Sequence, residues 1–520
     1  MSFMFFMVVK CSLPPAGCNS ADKLVETTGK DQNKRMGFRV KQTMHSFRPF
    51  FRRGWSAFCL SGLFLLCGCA STSVWTPYPA QTAPMIRQLE RGGEVDADKV
   101  FGRRVLGRDR TLYRLEQGRL AQIQNNLPTS RAAYADAIAA IREMDGRAVI
   151  SATRTAGRAT ALVLNDNAIP YEADGYERVM LHHEQALNYL FSGDLEGAGV
   201  EVRVAAAEQA EALKRRTREL ETARAQERRR GVSSGAGDLG AVYAQLDRVA
   251  GRVKNSFQNA YTFYMSAVVR ELLHDDGGAY IDYKKAAEIQ PDNPHVQADV
   301  LRLAADLGMG DEAAEFRARW PNTLANRVPA GQGEVIVFFE DGFLPPRVEL
   351  SLPIPLFSGG FTAIALPVYS GPWERTTPLA VELSAGPAGD TALICDLNAL
   401  AARALRERMP AILARQVVRA TGKAMAPQLA HPGRDRDIMV LIMSLYSFIS
   451  ERADLRSWTT LPQSAQVMRT ACPPGRHVLT LTHRGTGARA VCEVEVRPGG
   501  RTLVLAVRTG GKLTARSLIF

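Results

Sequence analysis

A short apolar run near the N-terminus constrains the chain more than any other stretch. Residues Trp55–Leu66 follow Arg52-Arg53 and lead into Gly68-Cys69. A secretory signal peptide has this order: a charged region, about 7–15 apolar residues and a small residue before the cleavage site. A membrane span needs about 20 apolar residues, so this run is too short to be one. A buried core helix would not require the basic flank or the polar Ser71-Thr72-Ser73 that follows. The pattern therefore predicts an exported protein whose folded part begins after residue 68.

The end of this run indicates a lipid anchor. Leu66-Cys67-Gly68-Cys69 resembles the lipobox of bacterial lipoproteins, in which the last cysteine is diacylated and becomes the mature N-terminus. The resemblance implies a signal peptide over residues 44–68 and a lipid, such as palmitate, on Cys69. Because Ala70 rather than Asp follows the cysteine, the pattern resembles outer-membrane sorting. We therefore expect a periplasm-facing protein of the cell envelope, with residues 69–84 as a lipidated tether.

The stretch before the signal peptide is longer than a signal peptide normally has. A signal peptide starts close to its charged region, whereas Met1 lies well upstream of Arg52. Initiation at Met44 or Met36 would give a charged region of ordinary length. We expect residues 1–43 to be untranslated or a disordered extension.

The charge and the cysteines limit the classes of function. The net charge is +12, but without the residues before Cys69 the chain has 55 basic and 50 acidic residues. This excess is small and no dense basic block with interleaved aromatic residues occurs, so we expect no nucleic-acid partner. Cys395, Cys472 and Cys492 lie in the body of the chain without zinc-type spacing, and whether they form a disulfide stays open. His182-His183 are adjacent and would point about 100° apart on a helix, so we expect one to be packed and the other exposed, with no metal and no cofactor.

Residues 85–325 are predicted to be helical, because their apolar residues recur at helical spacing. Two sets of residues in this part resemble the tetratricopeptide repeat, a helical hairpin of about 34 residues that stacks into a solenoid. The first set is Tyr189, Gly193, Ala198 and Ala205. The second set is Ala279, Tyr283, Ala286 and Pro291. The resemblance implies an α-helical tetratricopeptide-like solenoid, and an unrelated helical array with the same need for small residues is the alternative.

A charged helix lies between these two sets. Residues 208–230 alternate basic and acidic residues and have Leu213 and Leu220 as their main apolar positions. The segment is either an arm that contacts a partner or anionic lipid head groups, or a solvated helix face, which is the more common case.

Residues 333–520 are predicted to be rich in β-structure. Short apolar segments alternate there with turns that contain Gly and Pro. The predicted strands are residues 334–339, 348–352, 361–369, 379–383, 392–397, 477–482, 489–496, 501–507 and 513–519. Helices are expected near residues 398–428 and 435–452, the second with the apolar segment Ile438–Ile449 buried in the core. The pattern favours an antiparallel β-sandwich-like domain with an inserted helical pair, and we expect residues 331–520 to fold alone.

Two further segments carry a wider resemblance. Asp341–Arg347 and Glu451–Pro462, together with the turn Gly193-Asp194, are similar to an uncharacterised family of bacterial lipoproteins. Members of that family pair a tetratricopeptide-like half with a β-rich half. The resemblance implies a multidomain α plus β architecture and brings no established activity.

The sequence predicts a binding protein rather than an enzyme. The carboxylates at Asp435, Asp437, Glu451 and Asp454 have no neighbouring His, nucleophile or oxyanion-type loop, so no catalytic residue is assigned. We expect a scaffold or adaptor that binds an envelope protein or peptide on the helical solenoid. A structural component of an export or surface-polymer system and an envelope hydrolase with an unrecognised site are the alternatives.

Overall fold

Helices make up the N-terminal half of the protein. The computed structural model describes residues 76–152, 169–230, 240–355, 361–370, 373, 376–384, 386–425 and 452–520. Its helices before residue 320 are α1 Tyr78–Glu90, α2 Ala97–Phe101, α3 Arg110–Ile123, α4 Leu127–Ala152, α5 Gly175–Phe191, α6 Leu195–Arg230, α7 Gly240–Ala250, α8 Ala260–Leu272, α9 Asp276–Ile289, α10 Pro294–Asp306 and α11 Gly310–Arg319. Among the described helices, none has the length and apolarity to cross a membrane.

The first helix begins earlier than the sequence indicates. Residues 69–84 were expected to form a tether, whereas α1 starts at Tyr78. Proline is tolerated in the first turn of a helix, where its missing N–H has no partner in any case, so Pro79 fits there. Tyr78 is buried and its hydroxyl donates a hydrogen bond to Glu116 of α3, which ties this turn to the folded part.

Consecutive helices pack as antiparallel hairpins: α3 with α4, α5 with α6, α8 with α9, and α10 with α11. The turn between α5 and α6 uses Gly193 at φ +77°, and the N–H of Asp194 donates to the carbonyl of Tyr189. This left-handed residue after a helix satisfies carbonyls that would otherwise lack donors. Ala198 and Ala205 are fully buried, so their small side chains let α5 and α6 approach closely.

Strands make up the C-terminal half, so the class α plus β is confirmed. In the described residues the strands are β1 Gly333–Asp341, β2 Arg347–Pro355, β3 Phe361–Tyr369, β4 Leu379–Leu383, β5 Gly386–Asp390, β6 Ala392–Asp396, β7 Ser464–Cys472, β8 Gly475–His483, β9 Arg489–Val496, β10 Arg501–Thr509 and β11 Lys512–Ile519. They form a five-stranded sheet in the order β11-β10-β1-β7-β6, a four-stranded sheet in the order β5-β4-β8-β9, and the hairpin β2-β3.

The five-stranded sheet is mixed, not antiparallel as the sequence suggested. Strands β1 and β10 pair in parallel, from Glu334 opposite Arg501 to Asp341 opposite Arg508, while the other pairs in this sheet are antiparallel. Parallel neighbours need a long connection rather than a tight turn. The chain meets this requirement, because the strands of the four-stranded sheet lie between β1 and β10 in the sequence.

The two larger sheets and the helices form three layers. Ile336 and Phe338 of β1 pack against the helices, whereas Val335, Val337 and Phe339 pack against the four-stranded sheet. Alternate side chains of a strand point to opposite faces, so β1 is buried on both sides. The five-stranded sheet is therefore the central layer of the protein.

One further helix, α12 (Leu397–Met425), is the first member of the predicted helical pair. It packs against α7 and β3 through a separate apolar cluster that includes Leu246, Leu366 and Leu405. The second predicted helix and its apolar segment Ile438–Ile449 lie outside the described residues, as do Cys69, the signal peptide and residues 1–43.

A buried charged layer and the cleft at its edge

Charged side chains line the contact between the helices and the central sheet. We call this set the charged layer. Its members are Asp109, Glu116, Arg119, Asp174, Glu177, Glu184, Glu271, Asp299 and Arg302 from the helical half, and Glu334, Glu340, Arg347, Arg456 and Arg469 from the β-rich half. Buried charges are costly unless they are paired and hydrogen-bonded. Each cluster of the layer joins the two halves of the chain.

The first cluster surrounds Arg469 of β7. Its guanidinium donates to both oxygens of Glu334 at 2.8 and 2.6 Å and to both oxygens of Glu271 at 2.9 and 3.0 Å. Arg302 and Arg501 also reach Glu271, at 2.7 and 2.9 Å. Burial raises the pKa of Glu271, but the three arginines outweigh it and hold that pKa well below its usual range. Helix α8 is therefore joined to β1 and β7 by ionised pairs.

The second cluster has two carboxylates for one arginine. Arg119 of α3 donates to Glu184 of α5 at 2.8 Å and to Glu340 of β1 at 2.5 Å. Burial, with Glu340 nearby, raises the pKa of Glu184 to about 8 although Arg119 opposes this. The second oxygen of Glu184 has no hydrogen-bond partner among the described residues. The adjacent His183 packs against Tyr261 with the rings tilted by 44° and their centroids 4.1 Å apart, and burial lowers the pKa of His183 to about 3, so this ring is neutral.

The third cluster holds the segment Arg456–Thr460. Glu116 accepts hydrogen bonds from the backbone N–H groups of Thr459 and Thr460 at 2.7 and 3.2 Å, and from both threonine hydroxyls. Glu177 accepts from the N–H of Trp458 at 2.9 Å. The segment is thus fixed through its backbone by two helix carboxylates.

Arg347, Arg456 and Trp458 belong to the two segments that resemble the lipoprotein family, and they lie at this third cluster. Arg456 pairs with Asp109 at 2.5 Å, and Arg347 pairs with Asp174 at 2.9 Å while donating to the carbonyl of Arg456 at 2.9 Å. Trp458 is fully buried and lies edge-on to Tyr134, with ring centroids 5.8 Å apart. In this chain these residues join the two halves, and Arg347 also lines a small pocket of about 70 Å³.

A cleft of about 280 Å³ opens at the edge of the charged layer, next to Arg119. Its apolar wall comes from neighbouring strands, because Leu505 and Val507 of β10 lie opposite Arg516 and Thr514 of β11. The other lining residues are Leu89, Gly93, Glu94, Gln122, Ile123, Gln124, Asn125, Thr509, Lys512 and Ala515. The cleft therefore combines an apolar wall with polar and charged groups.

Two basic groups of the cleft, Arg516 and Lys512, form no ion pair with a described carboxylate. Arg516 donates to the amide oxygen of Asn125 at 2.8 Å and lies over the ring of Phe191 at 4.8 Å, and no described carboxylate comes within ion-pair distance of it. Burial, together with the charge of Arg119, lowers the pKa of Arg516 to about 10. Lys512 donates to the carbonyl of Gly92 at 3.3 Å and likewise lacks an ion pair with any described carboxylate. The exposed carboxylate of Glu94 is the acidic group at the rim.

The repeat-packing residues from the sequence lie in the helical hairpins, away from the cleft. Ala279 and Ala286 are buried in α9, and Pro291 lies in the turn before α10. Tyr189 stacks under the guanidinium of Arg131 at 4.1 Å. Tyr283 has a further role, because its hydroxyl donates to Glu271 at 2.7 Å and so joins the charged layer.

The described residues contain no group of three His, Cys, Asp or Glu side chains that could hold a metal ion. His182 contacts Glu201 at 2.7 Å, and both histidines of the pair are buried, whereas the sequence suggested that one would be exposed. Cys395, Cys472 and Cys492 are free thiols.

Sequence reasoning missed Arg119 and Arg516, the two arginines of the cleft. A signal existed for the first, because Glu116 and Arg119 are three residues apart within the apolar stripe of α3. No comparable signal existed for Arg516, whose neighbours come from distant parts of the chain. In comparisons with known proteins, no family model, no curated protein and no solved structure matches this chain.

Proposed function

We propose that this protein is a lipid-anchored scaffold or adaptor of the bacterial cell envelope, which binds a partner protein through the cleft between α3 and β11. The observation that carries the proposal is the cleft itself: an apolar wall beside a half-buried Arg516 that has no acidic partner. Binding sites are commonly concave and apolar with a few placed polar groups. Acylation of Cys69 and a place on the periplasmic side of the outer membrane complete the proposal.

The helical half is proposed to be a tetratricopeptide-like array. The successive hairpins α5/α6, α8/α9 and α10/α11 support this idea. Solenoids of this kind bind partners on an extended concave surface. Here helices α3, α8 and α10 contact the protein's own central sheet through the charged layer, and α5 contacts the segment Arg456–Thr460. The partner is therefore assigned to the cleft, where α3 still contributes to the surface.

The cleft is tested by affinity capture from detergent-solubilised membranes. Thr514 lies on the cleft face of β11, so Thr514→Trp should fill the cleft and remove the specific partner from the captured proteins. The matched control is Thr480→Trp on β8, opposite the exposed Val491 of the other sheet. If both variants capture the same proteins as the parent, the cleft is not the binding site.

The anchor is tested separately. Cys69→Ser should leave an uncleaved precursor without lipid, because the thiol that accepts the acyl chains is gone. Mass spectrometry of the N-terminus and fractionation of cells would check this. Normal processing and normal membrane fractionation of that variant would contradict the lipoprotein assignment.

A further inference from the structure

We propose that the cleft binds the C-terminal carboxylate of a protein or peptide chain, with Arg516 pairing with the carboxylate and the apolar wall of β10 contacting the last side chain. This inference rests on the proposed function, since it names the chemical group by which the partner is bound. Capture of chain ends is a recurrent mode of peptide recognition.

The first argument is charge. Arg516 is half-buried, and the contacts of its guanidinium are the neutral amide of Asn125 and the ring of Phe191. A partly desolvated cation without a counter-ion is unfavourable, so an anion that enters the cleft gains a partner that is already in place. The planar guanidinium presents parallel N–H donors that match both oxygens of a carboxylate.

The second argument concerns the amount of charge. Arg119 at the floor is held by Glu184 and Glu340, so it is not available to a ligand. Arg516 is thus the inner cation of the cleft, with Lys512 exposed at the rim beside the carboxylate of Glu94. A single inner cation suits a group with one negative charge. A phosphate monoester carries about −1.5 to −2 and three acceptor oxygens, which this cleft does not balance.

The third argument is size and polarity. The cleft has a volume of about 280 Å³. Typical sites for larger small molecules occupy about 300–1,000 Å³, so this cleft suits a group of the size of one amino-acid residue. Leu505 and Val507 lie directly across from Arg516 and Thr514, which places an apolar wall next to the carboxylate position.

Calorimetry with the detergent-solubilised full chain tests the inference. The probes are acetyl-Gly-Gly-Leu with a free carboxylate, the same peptide as its C-terminal amide, octanoate and inorganic phosphate. The free-carboxylate peptide should bind, and the amide should bind at least tenfold more weakly. Arg516→Gln should weaken binding of the carboxylate peptide at least tenfold and leave binding of the amide peptide unchanged. Arg476 is an exposed arginine on β8, and Arg476→Gln should alter the binding of neither peptide.

The outcomes separate this inference from the proposed function. Equal binding of amide and carboxylate by the parent protein would overturn it, and that comparison needs no variant. Tighter binding of octanoate than of the peptide would overturn the assignment to a chain end, and tighter binding of phosphate would overturn the single-charge argument. If no probe binds while Thr514→Trp still abolishes capture of the partner, the carboxylate inference fails and the scaffold proposal stands.

Discussion

The proton on Glu184 follows from its neighbours. Arg119 supplies one positive charge to two buried carboxylates, Glu184 and Glu340, within a cluster that also contains Tyr261 and lies near Arg516. One guanidinium balances one carboxylate, so the second is more stable as the neutral acid. Burial, which disfavours the charged form, is the largest cause, and together with the second carboxylate it raises the pKa of Glu184 from its usual 4.5 to about 8.

A pH dependence follows with a definite sign. Because the folded state holds the proton of Glu184 more tightly than the unfolded state, the stabilisation is complete below about pH 4.5 and is lost as the pH rises towards 8. The Glu184→Gln variant mimics the neutral acid, so its free energy of unfolding should fall less than that of the parent between pH 5 and 8. Denaturant titrations at several pH values would measure this. If the free energy of unfolding falls equally with pH in the parent and the variant, the prediction is wrong. Glu143→Gln on the exposed face of α4 is the control.

Glutamine should be tolerated at position 184 but should destabilise the protein at position 116. Both of its oxygens accept hydrogen bonds from the backbone N–H groups and hydroxyls of Thr459 and Thr460, and Tyr78 adds another. Glu116→Gln would place an amide NH₂ group against donors. At about 1–3 kcal/mol for each buried donor left without an acceptor, the variant should be destabilised by several kcal/mol at pH 7. An unfolding midpoint equal to that of the parent would show that Glu116 does not hold the segment.

At the scale of elements, strand β7 depends on one residue. Arg469 is 5% exposed and joins β7 to Glu334 of β1 and Glu271 of α8. Removal of one partner from a buried ion pair typically costs about 3–5 kcal/mol, because a charge stays buried without compensation. Arg469→Met should therefore destabilise the protein by at least this amount in denaturant titrations.

The control for this prediction is another arginine in an ion pair. Arg484 pairs with Asp390 at 2.7 Å, but both side chains are about half exposed. Solvent screens exposed ion pairs, so Arg484→Met should have little effect. If both variants lose the same stability, the charged layer is not what holds β7 to α8.

The elements differ in how far the sequence predicts them. Strands β3, β4 and β9 have the predicted bounds, because Gly or Pro residues lie near both ends of each. Strand β7 was missed, since it is buried on both faces and contains Gln466 and Arg469, so it has no simple apolar alternation. The cleft could not be predicted, because its walls come from α1, α3, β10 and β11, which are brought together only by the tertiary fold.

At the scale of the molecule, the charged layer couples the two halves of the chain. The described residues from 76 to 520 belong to one compact unit, and one apolar cluster contains Leu187 and Val268 of the helices as well as Phe338 and Leu505 of the sheet. The sequence alone predicts that residues 331–520 fold independently. The buried ion pairs favour the opposite outcome, since separation would leave charges on both faces without partners.

Cleavage of the linker between the halves would decide between these two expectations. Leu324 is 87% exposed in the segment between α11 and β1, so a protease site placed there should be cut without disturbing the core. We expect the two pieces to stay associated on gel filtration and to unfold in a single transition. We also expect residues 331–520 expressed alone to lack cooperative unfolding, because Glu340, Arg347 and Arg469 would each lose a partner from the helical half, at a cost of about 3–5 kcal/mol for each broken pair. A soluble C-terminal fragment with a sigmoidal transition of its own would instead establish two independent domains, and the charged layer would then be only a docking surface between them.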